Sequence, residues 1–196
     1  VDDSGSPARR CTISGFQPAD VWGDGPLLRD ASGVLIDLPT CPTLPGAHNA
    51  QNAAAAWAMA RFLGVTPGAI VAGMRTYPGL PHRQQLVATV GGIAFINDSK
   101  ATNADSTARA LECHDRMILI AGGEAKEGGI ESLVEYFPRL AHVLLIGRDA
   151  PVLAATLAAH GVSHETVGTL EAAVPAALSA ARRHNCLLYT SPSPRD

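Results

Sequence analysis

The sequence predicts an α/β protein whose C-terminal part forms a doubly wound parallel sheet. From about residue 117, short apolar runs alternate with helical segments at the spacing of β-α-β units. Apolar residues make up 46% of the 196 residues, enough for a packed core. The net charge of −3 disfavours nucleic acid as the main partner. The longest apolar run, Ala53 to Ala60, is too short to cross a bilayer, so we expect no membrane insertion.

The N-terminal part predicts a smaller group of strands and helices. Residues 1 to about 45 are typical of short strands and turns. Gly64 is suited to end an alanine-rich helix, and Thr66-Pro67 is suited to begin the next one. The predicted elements are a hairpin of Leu27 to Asp30 with Val34 to Asp37, a helix from Ala47 to about Leu63, and a helix from Thr66 to about Arg75.

A domain boundary is predicted at Tyr77-Pro78-Gly79-Leu80-Pro81, because this proline-rich stretch cannot continue a helix. We therefore divide the chain into residues 1–76 and 77–185. Beyond the boundary, Gly91-Gly92 predicts a hairpin of Gln85 to Val90 with Ile93 to Asn97. The later predicted elements are a helix from Asp105 to Glu112, a strand from Met117 to Ala121, a helix from Ile130 to Phe137, a strand from His142 to Ile146, a helix from Pro151 to Ala159, a strand from Glu165 to Val167 and a helix from Leu170 to Arg183.

Residues 186–196 break this pattern where one more buried strand is due. Their Ser-Pro steps are unsuited to a central strand, since proline has no N–H to donate. The segment also resembles a translated sequencing adapter. We therefore predict that residues 187–196 form no central strand, and we interpret the tail as disordered or foreign to the natural protein.

The cysteines and histidines show no metal-binding pattern. The four cysteines are far apart and form no Cys-x-x-Cys pair, which is typical of free thiols in a cytosolic protein. Gly161 lies between His160 and His164 and is expected to end a helix, which disfavours a shared metal ion. We predict no metal site in this chain and a cytoplasmic location.

Two polar stretches are the most informative about function. They are Gly79-Leu80-Pro81-His82-Arg83 and Asn97-Asp98-Ser99-Lys100-Ala101-Thr102-Asn103. The predicted hairpin between them brings its two ends together, so both stretches are expected to line one site. Their imidazole, guanidinium, ammonium and carboxylate groups favour a small anionic ligand.

Each of these residues also has an ordinary structural interpretation. Arg83 offers a planar fork for phosphate oxygens, but His-Arg pairs also occur on plain surfaces. Asp98 could accept from ribose hydroxyls or cap the following loop. Lys100 could hold a carboxylate or a phosphoryl group, although an isolated lysine is usually solvated. Thr102 could bind a ligand or cap a helix.

Two further motifs carry candidate residues. Asn49 and Asn52 share a helix face, where their amides could contact a base or serve only as polar helix positions. Gly122-Gly123 follows a strand, where a backbone without side chains can approach a ligand. Lys126 lies on the far side of this loop and could pair with a carboxylate.

Taken in order, these motifs resemble the Mur ligase family. The resemblance runs from about residue 40 to residue 183, and Asp98-Ser99-Lys100-Ala101-Thr102-Asn103 is its most specific part. It implies that residues 1–76 are the tail of a central α/β ATPase domain, which binds ATP. It also implies that residues 77–185 are an incomplete, Rossmann-like C-terminal ligase domain.

The resemblance implies a monomeric enzyme that uses ATP and Mg²⁺ in peptidoglycan precursor synthesis. Such an enzyme adds D-glutamate to UDP-N-acetylmuramoyl-L-alanine through an acyl phosphate. The implied roles are ATP binding by Asn49, Asn52, His82, Arg83 and Asp98, catalysis by Lys100 and His82, and D-glutamate binding by Thr102 and Lys126.

Four parts of the family pattern are missing from these residues: the phosphate loop, the magnesium ligands, the carbamylated lysine and the last strand. We therefore expect no ligase activity from this chain by itself. Two alternatives stay open. The first is another Mur or folylpolyglutamate-type ligase, which its amino-acid preference would reveal. The second is a noncatalytic nucleotide-binding module, which a phosphate loop in upstream sequence would exclude.

Overall fold

The computed structural model describes residues 10–122 and 129–192. Its contacts divide the chain into an N-terminal unit, Val1–Pro78, and a C-terminal unit, Gly79–Asp196. This division falls inside the proline-rich stretch at which the sequence predicts a boundary. The identity of residues 1–76 as part of an ATP-binding domain stays a prediction. None of the helices in the described ranges combines the length and apolarity needed to cross a membrane.

The N-terminal unit contains a small sheet of strand order β1-β2-β3-β4. β1 and β2 are parallel, and the other neighbours are antiparallel. The predicted hairpin and both predicted helices of this part are confirmed. The elements are β1 (Ile13–Ser14), β2 (Val21–Asp24), β3 (Leu27–Asp30), β4 (Gly33–Asp37), a 3₁₀ helix (Leu38–Thr40), α1 (Ala47–Phe62) and α2 (Pro67–Thr76).

Small side chains let α1 lie close to this sheet. Ala50, Ala53 and Ala54 are buried together with Trp57. A Cβ at Gly23 of β2 would come within 2.8 Å of the Ala50 methyl group, so only glycine fits there. The chain then turns at residue 64 with a positive φ, and the Thr66 hydroxyl accepts from the Ala69 N–H at 3.4 Å to begin α2.

The C-terminal unit is a six-stranded sheet of order β5-β6-β10-β7-β8-β9. β5 is antiparallel to β6, and every other neighbouring pair is parallel. The predicted alternation of strands and helices is confirmed. The elements are β5 (Gln85–Val90), β6 (Ile93–Asn97), α3 (Ala104–Leu111), β7 (Met117–Gly122), a 3₁₀ helix (Glu131–Arg139), β8 (Leu140–Ile146), α4 (Ala150–Ala159), β9 (His164–Gly168), α5 (Leu170–His184) and β10 (Leu187–Pro192).

Both faces of this sheet are covered, which is why β7 and residues Val143–Ile146 of β8 are apolar without alternation. Met117, Leu119, Val143 and Leu145 pack with residues of α3, α4 and the 3₁₀ helix on one face. Ile118, Ile120, Leu144 and Ile146 pack against the alanines of α5 on the other face. Helices on both faces of a largely parallel sheet confirm the predicted doubly wound α/β class.

The prediction that residues 187–196 form no central strand is wrong for residues 187–192. These residues form β10, in which Tyr189 pairs with Ile96 of β6 on one side and with Leu119 of β7 on the other. The chain thus supplies the last strand that the sequence interpretation regards as missing. Pro192 is compatible with the sheet because it is the final residue of β10, where its missing N–H removes at most the last ladder bond. Pro194 lies outside the described residues.

The helix predicted from Ile130 to Phe137 is instead a 3₁₀ helix over Glu131–Arg139. Pro138 lies inside it. Proline has no N–H to donate in either type of helix, and α5 is α-helical with Pro175 inside it, so Pro138 by itself does not determine the type. The amphipathic pattern therefore predicts the buried face, with Leu133 and Phe137, but not the type of helix.

Candidate nucleotide and substrate site

The candidate site lies at the carboxyl ends of the central strands of the C-terminal unit. Thr190 of β10 pairs with Asn97, the last residue of β6, and Pro192 pairs with Gly122, the last residue of β7. The polar stretch from Asn97 to Asn103 therefore begins at the sheet edge where α/β proteins bind their ligands.

The hairpin of β5 and β6 brings the two polar stretches together, as predicted. Gln85 at the start of β5 pairs with Asn97 at the end of β6. The Lys100 N–H donates to the carbonyl oxygen of His82 at 3.0 Å. The Gln84 N–H donates to the Asp98 carboxylate at 3.1 Å. These bonds make residues 82–85 and 97–100 one connected loop pair.

His82 has a constrained backbone. Its φ is 62°, a left-handed backbone conformation that residues other than glycine rarely adopt. Its N–H donates to Gln85 Oε1 at 3.0 Å, and its ring Nδ1 lies 3.2 Å from Asn97 Nδ2. Hydrogen bonds from both strands of the hairpin thus hold a strained residue, an arrangement that is common at ligand sites.

Asp98 is buried at the base of the loop pair, with 6% of its surface exposed. One carboxylate oxygen accepts from the Gln84 N–H, and its backbone carbonyl accepts from the Ala101 N–H at 2.7 Å. Burial also raises the pKa of the neighbouring Cys113 thiol to about 11, and the Asp98 charge contributes to this shift. Asp98 therefore has a structural role in the loop, and its predicted contact with ribose stays a prediction.

Arg83 and Lys100 supply positive charge to the loop pair. Both are exposed, and neither has an ion-pair partner among the residues that the structure describes. Because the Lys100 N–H is bonded to the residue before Arg83, the two cationic side chains start from adjacent backbone. Such a pair suits an anionic ligand such as a phosphate or a carboxylate.

Thr102 and Asn103 follow directly. Thr102 is half-buried, and its N–H donates to the Lys100 carbonyl oxygen at 3.0 Å. Asn103, rather than Thr102, caps α3, since its side chain accepts from the Ser106 N–H at 2.8 Å. Both residues border a cavity of about 110 Å³ whose walls are mostly apolar. The capping interpretation of Thr102 is thus wrong, and its predicted contact with D-glutamate stays a prediction.

Asn49 and Asn52 lie in the first turns of α1 and are bonded to each other. Asn49 donates to the Pro45 carbonyl oxygen at 2.7 Å, and Asn52 donates to Asn49 Oδ1 at 3.2 Å. Asn49 therefore ties the helix to the segment before it, and Asn52 is exposed. Contact of these amides with adenine stays a prediction.

The loop after β7 is described only at its ends. Packing requires glycine at position 122, because a Cβ there would clash with the backbone carbonyl of Ile146 in β8. Its missing side chain accommodates the neighbouring strand. Gly123 and Lys126 lie outside the described residues, so their predicted roles stay predictions.

No group of three or more histidine, cysteine, aspartate or glutamate side chains in the described ranges is arranged to hold a metal ion. His160 lies 3.5 Å from Glu131, and His164 contacts the Val162 carbonyl oxygen at 2.8 Å.

Comparison with known proteins identifies the family. The family model described as "Mur ligase, glutamate ligase domain" matches residues 82–192, from the strained histidine to the end of β10. The chain belongs to the Mur ligase family. Its fold agrees with this, since UDP-N-acetylmuramate-alanine ligase MurC from Thermotoga maritima superposes with a TM-score of 0.59 at 16% identity, over 78% of this chain and 35% of that one.

Closer relatives of this Mur ligase chain carry a more specific name. A UDP-N-acetylmuramoylalanine–D-glutamate ligase from Rhodospirillum rubrum is 51% identical over 82% of this chain and 34% of its own length. The Rhizobium etli enzyme of that name is 52% identical over 93% of this chain and 40% of its own length. The chain thus spans little more than a third of these relatives.

Two residues of the candidate site are not identified by reasoning from the sequence. Asn97 contacts the His82 ring, and the Gln84 N–H holds Asp98. Asn97 begins the polar stretch Asn97–Asn103, but no role follows from its position in the sequence alone. Its spacing to His82 becomes meaningful only through the pairing of β5 with β6.

Proposed function

We propose that the complete protein is an ATP-dependent ligase that joins D-glutamate to UDP-N-acetylmuramoyl-L-alanine. The observation that carries the proposal is the identity of about half the residues over most of this chain with relatives of that name. The loop pair of the C-terminal unit supports it, because a site for this reaction must accept several anionic groups.

The proposed reaction has two steps. The terminal phosphoryl group of ATP passes to the carboxylate of UDP-N-acetylmuramoyl-L-alanine, which yields ADP and an acyl phosphate. The amine of D-glutamate then attacks the acyl carbon, an amide bond forms, and phosphate leaves. Both steps concentrate negative charge, which positioned cations stabilise in the transition state.

We assign the residues of this chain to parts of that reaction. His82 and Arg83 contact the nucleotide, with Arg83 at the phosphates, and Asp98 contacts the ribose. Lys100 lies at the reacting carboxylate and stabilises its developing charge, and Thr102 and Lys126 hold D-glutamate. Asn49 and Asn52 contact adenine. Mg²⁺ would neutralise phosphate charge in this chemistry.

The proposal also fixes a cellular setting. ATP and nucleotide-linked precursors are cytoplasmic compounds, so the enzyme acts in the cytoplasm. A single copy can carry all the assigned residues, and we propose a monomer.

Turnover by the complete protein tests this function. ADP release should depend on both UDP-N-acetylmuramoyl-L-alanine and D-glutamate, and L-glutamate or L-lysine should not replace D-glutamate. Turnover with a different amino acid would favour a sister ligase, and nucleotide binding without turnover would favour a noncatalytic module.

Lys126→Ala sharpens the test. A charge-assisted hydrogen bond contributes about 1.5–3 kcal/mol, so the apparent KM for D-glutamate should rise roughly ten- to a hundredfold while that for ATP changes little. The matched control is Arg182→Ala, which removes an exposed cation in the last turn of α5 and should change neither constant. Equal increases in both constants would contradict the assignment of Lys126.

A further inference from the structure

Asn97 makes two hydrogen bonds whose directions can be assigned. Its Oδ1 lies 3.0 Å from the Ser99 N–H, and its Nδ2 lies 3.2 Å from Nδ1 of His82. The two ends of a carboxamide are often interchanged, but a backbone N–H can only donate. The oxygen must therefore face Ser99, and the NH₂ group must face the imidazole.

This direction decides which nitrogen of the neutral His82 ring carries the proton. Because Asn97 presents a donor to Nδ1, that nitrogen is the acceptor when the ring is neutral. A neutral imidazole carries one proton, so the proton is on Nε2. The backbone of His82 is fixed at the same time by the Gln85 side chain at its N–H and by Lys100 at its carbonyl oxygen.

We infer that Asn97 is a positioning residue that holds His82 as the Nε2–H tautomer, so that His82 offers a hydrogen-bond donor to an acceptor atom of the nucleotide. The inference rests on the proposed function for the identity of the ligand. Asn97 itself need not touch the nucleotide, because it acts through the imidazole. The tautomer of the neutral ring follows from the direction of the hydrogen bond with Asn97 and does not depend on the ligand.

The tautomer can be measured directly in the 196-residue chain. Long-range ¹H–¹⁵N spectra distinguish a protonated from an unprotonated ring nitrogen, and loss of one signal set in His82→Gly assigns the residue. Glycine is chosen because it adopts the positive φ without strain. At a pH where the ring is neutral, the wild-type chain should show an unprotonated Nδ1 and a protonated Nε2. A protonated Nδ1 would overturn the inference.

Asn97→Asp separates positioning from a purely structural role. The aspartate still accepts from the Ser99 N–H, so the turn is retained, but it now presents an acceptor to the imidazole. The proton should therefore move to Nδ1. Asn97→Ala removes both contacts and should give a mixture of tautomers.

In the complete enzyme, Asn97→Asp should raise the KM for ATP about tenfold and leave the KM for D-glutamate within about twofold. The new carboxylate also repels phosphate, so the same change is made in the His82→Gly background. If Asn97 acts through His82, Asn97→Asp in that background should change the logarithm of the KM for ATP by less than half as much as it does in the wild-type enzyme. An undiminished effect would overturn the inference.

The outcomes distinguish this inference from the proposed function. Absence of D-glutamate-dependent turnover would refute the function while the measured tautomer could still stand. A protonated Nδ1 in an enzyme with the expected turnover would refute the role of Asn97 and leave the function intact.

Discussion

The edge hairpin and the central strands of the C-terminal unit are built differently. All six residues of β5 are exposed, including Leu86 at 60% and Val87 at 61%. In β7 and β8, by contrast, Met117–Ile120 and Val143–Ile146 are buried between helices on both faces. β5 is held mainly by its pairing with β6, whereas the central strands supply the apolar burial that stabilises the fold.

The residues that stabilise the fold are therefore different from those that carry the candidate site. Both polar stretches of the candidate site are attached to the hairpin, at the start of β5 and the end of β6. The site therefore depends on how the exposed strand β5 pairs with β6, and β6 in turn pairs with β10. Changes in the central strands should affect folding, and changes in the hairpin should affect the loops.

Proline substitutions should give the largest difference in folding between the central strands and the hairpin. Tyr189→Pro removes a donor from a strand that pairs on both sides and should abolish the cooperative unfolding of the C-terminal unit. Far-ultraviolet circular dichroism and amide exchange of β7 amides measure this. Both tryptophans, Trp22 and Trp57, lie in the N-terminal unit, so their fluorescence reports separately on that unit.

Val87→Pro is the matched control. Val87 lies at the irregularity between Leu86 and Ala88, on the edge strand, where proline is tolerated. It should leave the unfolding transition of the C-terminal unit in place. Equal damage from the two prolines would show that the edge hairpin contributes as much to folding as β10 does.

Truncation of apolar side chains should give the next largest difference. Ile118→Ala removes a fully buried side chain from β7 and should lower the free energy of unfolding by about 2–5 kcal/mol. Leu86→Ala, on β5, should change it by less than about 0.5 kcal/mol. Urea titration followed by circular dichroism measures both. A large loss from Leu86→Ala would mean that the face of β5 is covered in solution.

The thiol of Cys113 provides a milder probe of the base of the site. Its pKa is raised from 9.0 to about 11, mainly by burial, so its thiolate fraction at pH 8 should fall about a hundredfold. Alkylation by iodoacetamide in the native chain should therefore be at least that much slower than in urea. The exposed Cys11 is the internal control and should react at similar rates in both conditions. Fast native alkylation of Cys113 would show that the base of the site opens readily.

Local signals predict most of the fold, and the largest failure, the strand β10, has a non-local cause. Gly91 and Gly92 predict the β5–β6 turn, and both have a positive φ there. Thr66 predicts the start of α2. β10 is missed because its suitability as a strand depends on partners in β6 and β7, which lie far away in sequence. The Ser191-Pro192 step of β10 predicts the end of a strand, and the structure shows that Pro192 is the last paired residue.

The candidate site shows the same division. That the two polar stretches meet follows from the hairpin pattern, which is readable in sequence. The positive φ of His82 is not readable, because a histidine gives no signal of that conformation. The bond between Asn97 and the imidazole is also not readable, since it joins residues on opposite strands whose register must first be known.

The central position of β10 has a consequence for synthesis on the ribosome. Within the described chain, β10 is made after every other strand of its sheet, yet it lies between β6 and β7. Until residue 192 has emerged, the β5–β6 hairpin and the β7–β8–β9 group share no strand-to-strand pairing and remain two partial sheets with open edges. The loop pair on the hairpin can then join the rest of the sheet only after translation has passed this strand, so a nascent chain stalled before it would expose both edges to aggregation.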